Sequence, residues 1–174
     1  MKVERLREEI ERKRRELVAD LEKTLSAHPE WLELFRAICA RGDEVRIQDE
    51  AADHPSRCGC EEGWEMVGLV HTHPKHNTPS ISPWDIEIHL GDGKGVICAV
   101  GEDDLDGSYK CKCWEFGSEE EAQKAFEAIL DCYHLGEDVM EKTGDPRVRS
   151  IVWNACAQKA VKPALEITLR EGGR

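Results

Sequence analysis

Two histidines and a carboxylate offer the most distinctive chemistry in this chain: His71-Thr72-His73-Pro74, followed by Ser82-Pro83-Trp84-Asp85. Side chains alternate along a β-strand with a period of two, so a strand running into His71-Thr72-His73 turns both imidazoles to one face. Pro74 then ends the strand by removing a backbone donor, which leaves the pair at a sheet end. Ser82 reads as a helix cap, Pro83 as the first helical residue, and Asp85 falls in the first turn. Taken alone, Ser-x-x-Asp is close to an ordinary capping box. Beside the histidines, Asp85 can instead serve as a third ligand. Two imidazoles and one carboxylate leave the fourth position of a Zn2+ open to water, which is the arrangement of catalytic rather than structural zinc.

Other ligand-type residues fit less well. His76 reads as an exposed loop residue and His89 as a helix-surface one. Cys58-Gly59-Cys60 and Cys111-Lys112-Cys113 could make a four-thiolate site, but zinc ribbons place two or more residues between paired cysteines. The N-terminus is densely charged and lacks the apolar stretch of a secretory signal, so the expected location is cytoplasmic. The eight cysteines are then expected to be mostly reduced, with plain thiols or a redox pair at Cys58 and Cys60.

The elements that must position these groups follow from periodicity. Val3, Leu6, Ile10, Leu17, Leu21 and Leu25 recur at helical spacing, which predicts one long amphipathic helix over about residues 2–26. It is either a core helix with a solvated back or one whose first turns pair with a second copy in a homodimer. The segment from Glu30 to Phe35 is helix or strand by periodicity alone. Val45 to Gln48 alternates as a half-buried strand, and Glu65 to His71 is an apolar run typical of a central strand. Gly95 to Val100 and Ser108 to Phe116 predict a hairpin across the Gly101-to-Gly107 turn. Ser118 to Glu121 opens a helix expected to end near Gly136, and Asp145-Pro146 opens another. Leu165 to Arg170 alternates like an edge strand, and the Gly172-Gly173 tail needs no explanation beyond a fraying terminus.

A chain of 174 residues with 34% charged and 40% hydrophobic residues is globular, and no apolar run reaches the length of a membrane span. The formal net charge of -12 argues against nucleic acid, whose phosphates call for clustered Lys and Arg, and favours a basic or neutral protein partner.

His-x-His-Pro, seven residues, then Ser-x-x-Asp resembles the JAMM (MPN+) zinc metalloprotease family, with every fixed position matched. The resemblance covers about residues 5–116. It implies an α/β fold: a mixed, curved β-sheet flanked by helices, cytidine-deaminase-like, with the core at 1–116 and a C-terminal helical extension at 117–174. It also implies a strand from about Glu30 to Ile38. Zinc would be held by His71, His73 and Asp85, with Ser82 donating to the oxyanion. The family's general base is an upstream glutamate. Glu30, Glu33, Glu44 and Glu50 are candidates, and Ala27-His28-Pro29-Glu30 looks like the small archaeal-type pattern, which favours Glu30 with Glu33 next. The glycines common after that glutamate are missing, since Glu33, Arg36 and Ala40 occupy the neighbourhood. The implied activity is hydrolysis of an amide or isopeptide bond, removing ubiquitin-like modifiers from proteins. The alternatives are processing of a sulfur-carrier protein and a non-catalytic assembly scaffold.

Overall fold

The computed structural model describes residues 2–27, 32–89 and 95–173, the last three of the middle stretch as backbone only. Glu30 and the side chain of His89 therefore lie outside the described residues. The order is α1 (Val3–Arg12), α2 (Arg14–Ser26), β1 (Phe35–Arg41), β2 (Glu44–Ile47), β3 (Glu65–Thr72), α3 (Pro83–His89), β4 (Gly95–Glu102), β5 (Tyr109–Phe116), α4 (Glu119–Thr143), α5 (Pro146–Ala160) and β6 (Leu165–Arg170). The expected long N-terminal helix is interrupted at Lys13, and described β1 begins at Phe35.

The strands form one mixed six-stranded sheet in the order β2-β1-β3-β4-β5-β6. Among the described residues only β3 and β4 are parallel, and α3 lies in the crossover between them, while the remaining pairs are antiparallel. Two apolar layers follow from strand alternation. Leu6, Ile10, Leu17 and Leu21 pack with Ile38, Val70, Cys98 and Ile167 on one face. Ile81, Ile86, Ile129 and Trp153 pack with Ile97, Ala99, Trp114 and Phe116 on the other. The apolar stripe of α1 and α2 packs on the first of these layers. A buried ion pair ties α2 to β1, because Arg36 donates to Asp20 at 2.6 and 2.9 Å and also reaches the carbonyls of Gln48 and Asp49. Among the described residues no helix is long and apolar enough to cross a membrane.

Helix α4 runs past Gly136 to a left-handed cap at Gly144, with φ 65°. Gly136 is there for another reason. A Cβ on it would stand 3.3 Å from Arg149 Cγ and 3.4 Å from Trp153 Cβ, so its bare backbone lets α5 come close.

The expectation of mostly reduced cysteines is corrected. Disulfides join Cys39 to Cys60, Cys98 to Cys113 and Cys132 to Cys156, leaving Cys58 and Cys111 free. These partners are 15 to 24 residues apart in sequence, so local spacing carried no sign of them. Cys98 and Cys113 are directly opposed across β4 and β5. Cys132–Cys156 bonds α4 to α5.

Candidate metal centre

His71 is the penultimate residue of β3 and His73 follows the end of the strand, its N–H donating to the Val100 carbonyl at 2.8 Å. Alternation sends Val70 to the α1–α2 layer and His71 to the opposite face, where it lies beside Phe35 and Ala99. The Phe35 ring stacks on His71 with centroids 5.9 Å apart. Both imidazoles are buried.

Ser82 and Asp85 form the expected box: Ser82 N–H donates to Asp85 Oδ2 at 2.8 Å and Asp85 N–H to Ser82 Oγ at 3.1 Å. The cap and the ligand are not rival roles. The same Asp85 carboxylate stands 3.2 Å from His71 Nε2 through Oδ1 and 3.3 Å from His73 Nε2 through Oδ2. The two Nε2 atoms are 2.8 Å apart. A tetrahedral zinc with bonds of 2.0–2.1 Å has ligand-to-ligand edges of about 3.3 Å, so this donor set fits a small divalent cation.

His73 Nδ1–H donates to the Thr78 carbonyl at 2.6 Å, which directs the lone pair of the neutral ring to Nε2. Neither sequence spacing nor residue type signals this carbonyl, because it is brought in by the fold of a loop. His76 stands outside the His71, His73 and Asp85 group, half-buried with Nδ1 2.8 Å from Asp104 Oδ1.

Glu33 comes to the site through β1. The β1–β3 register pairs Phe35 with His71. Thr72 N–H donates to the Leu34 carbonyl, and Leu34 N–H to Thr72 Oγ1 at 2.9 Å. Continued by one residue, that pairing sets Glu33 opposite His73, and its charge acts on the His73 ring. Thr24 Oγ1 of α2, 2.5 Å from Thr72 Oγ1, fixes the junction from behind. Glu44 pairs with Arg41 at the far end of the β1–β2 hairpin, away from the histidines. A cavity of about 460 Å³ lined by Arg12, Cys39, Arg46, Gln48, Cys60 and Trp64 involves none of the ligands.

Burial opposes a charge on His73, but the hydrogen bond and charge of Asp85, the charge of Glu33 and the Thr78 carbonyl outweigh it and raise its pKa to about 9. Burial likewise opposes charge on Asp85, yet the adjacent imidazoles hold it well below the ordinary 3.8. In the metal-free protein the raised His73 pKa contributes stability that is complete below about pH 6.5 and lost as pH rises through about 9. The depressed Asp85 pKa contributes above pH 3.8 and is lost as pH falls toward its folded value. A cation must displace the His73 proton. Zinc binding at pH 7.5 is therefore expected to release about one proton, with apparent affinity rising about tenfold per pH unit toward pH 9. Calorimetry in buffers of different ionisation enthalpy reads this directly, and pH-independent affinity from 7 to 9 would show the ring already neutral.

No family model matches this sequence, and no curated protein does. Among solved structures the chain is similar to a JAB1/MPN domain protein from Archaeoglobus fulgidus, at 25% identity and a TM-score of 0.38, covering 60% of this chain and 89% of that one.

Proposed function

We propose that this protein is a zinc-dependent peptidase or isopeptidase. The observation that carries the reading is the convergence of His71 Nε2, His73 Nε2 and the Asp85 carboxylate on one point. Zn2+ held by these three residues would acidify a water and polarise the scissile carbonyl. Glu33, opposite His73, is placed as the general base that takes a proton from the attacking water and returns it to the leaving amine. Ser82 Oγ accepts from Asp85 N–H, so its own hydrogen is available to the amide oxygen as negative charge develops. Thr78 keeps the His73 ring oriented throughout. Trp84, next to Asp85 and exposed, supplies apolar contact surface beside the site.

The substrate class rests on the His-x-His-Pro and Ser-x-x-Asp resemblance: conjugates of ubiquitin-like modifiers, with the amide at their C-terminus as the scissile bond. The net charge of -12 suits a basic or neutral protein partner. Elemental analysis paired with cleavage of lysine-linked and linear modifier fusions tests the reading. About one zinc per chain, cleavage lost on chelation and cleavage restored by added Zn2+ are expected. Cleavage that survives exhaustive chelation overturns it, and a protein with neither zinc nor cleavage overturns it in favour of the scaffold alternative.

A further inference from the structure

The loop from Pro74 to Ser80 carries the Thr78 carbonyl that orients His73, and it does so in an unfavourable conformation. His76 and Thr78 have φ of 61° and 42°, in the left-handed region that side chains other than glycine rarely occupy. Such backbone persists only where its surroundings over-determine it. Here the surroundings come from α5 and the β4–β5 turn. Arg149 Nη2 donates to the His76 carbonyl at 3.3 Å. The His76 ring meets Asp104 at 2.8 Å, and the Asp104 carbonyl accepts from Arg147 Nε and Nη2 at 3.2 and 2.9 Å. Pro79 rides over Gly101, where a Cβ would stand 3.0 Å from it.

Arg149 is itself held. Its Nη1 donates to Glu137 of α4 at 3.3 Å. Gly136, beside it, gives up helix propensity so that α5 can approach at this one turn. The Cys132–Cys156 disulfide bonds the two helices. Five polar atoms of the loop and this seam, Thr78 Oγ1, Asp104 Oδ2, Arg149 Nε, Ser150 Oγ and Trp153 Nε1, are buried without a partner among the described residues. Evolved structures tolerate such violations chiefly where function requires them. The same hairpin also backs the third ligand, since Trp84 of α3 packs edge-on against Tyr133, and Tyr133 against Trp153.

We propose that Arg149, and through it the α4–α5 hairpin, is a positioning element of the metal centre: it clamps the Pro74–Ser80 loop so that Thr78 holds the His73 ring for zinc. The inference rests on the metal-binding reading above. Its test is zinc affinity of the whole protein, measured with Zn2+ alone against a chromophoric chelator, together with the absorption spectrum of the Co2+-loaded form. Loss of an outer partner of a ligand histidine costs about 10–100-fold in metal affinity. Arg149→Met, which loosens that partner without removing it, is expected to lose up to that much and to perturb the cobalt spectrum, and Arg149→Lys, which keeps a donor, to recover most of it. Lys124→Ala, on the exposed face of α4, should bind as wild type. Gly136→Ala serves if Arg149→Met does not fold, because it favours the helix while pressing on Arg149, and it too should weaken zinc binding. Wild-type affinity in a folded Arg149→Met or Gly136→Ala protein overturns the inference and leaves the metal site standing. Failure of the wild type to bind zinc at all overturns the underlying reading instead.

Discussion

Glu33→Gln is expected to keep a full complement of zinc while its turnover of a modifier fusion falls about 10²–10⁴-fold, the usual contribution of a positioned acid–base group. The argument is one of register. Phe35 pairs with His71, Leu34 and Thr72 bond to each other, and Glu33 is next, opposite His73. A glutamine there preserves size and hydrogen bonding but cannot take a proton. Zinc content should be unchanged because Glu33 is not among the grouped ligands. Single-turnover rates and metal content measured on the same preparation check both halves. Full activity in Glu33→Gln, with loss in Glu30→Gln, would return the role to the residue that the Ala-His-Pro-like turn favours.

Asp85→Ala should be the most damaging change to the metal centre. Structural zinc sites bind with roughly 10–16 kcal/mol shared over four ligands, so one ligand carries roughly 2.5–4 kcal/mol, about two to three powers of ten in affinity. The change also removes the acceptor of Ser82 N–H at the start of α3, which costs about 0.5–2 kcal/mol as a lost cap. The two effects separate with Asp85→Asn, whose amide oxygen can still accept from Ser82 while the charge is gone. Asp85→Asn is expected to fold as wild type, to lose zinc affinity, and to lower the His73 pKa from about 9, since Asp85 is what chiefly offsets burial there. Imidazole NMR titration of the metal-free protein reads that shift. An unchanged His73 titration in a folded Asp85→Asn protein would mean that the Asp85–His73 contact is not the source of the elevated value.

Much of the fold was legible because it rests on local patterns. The apolar stripe of Leu6, Ile10, Leu17 and Leu21, the central run of β3 and the alternation of Leu165, Ile167 and Leu169 each record which face is buried. Element ends were less secure. Gly136 looked like a stop, and it is a contact point, because a helix-breaking residue and a residue that permits close packing are the same residue in sequence. The position of Glu33 shows the same limit, because only the antiparallel pairing of β1 with β3, continued past Phe35, sets it opposite His73.

The disulfides mark the boundary most clearly. Residue type and local spacing argued for thiols, whereas the Cα atoms of Cys39 and Cys60 come within 5.8 Å and those of Cys132 and Cys156 within 5.5 Å once the sheet and hairpin form. The sequence by itself determined the ligand types, their shared strand face and the cap that places Asp85, because periods of two and 3.6 and the chemistry of helix starts act over a few residues. The tertiary structure decided how the 11 residues from Pro74 to Trp84 fold back so that Asp85 meets both rings, which carbonyl orients His73, and that Glu33 lies opposite it. Those choices depend on contacts between strands and helices far apart in the chain, and no local period encodes them.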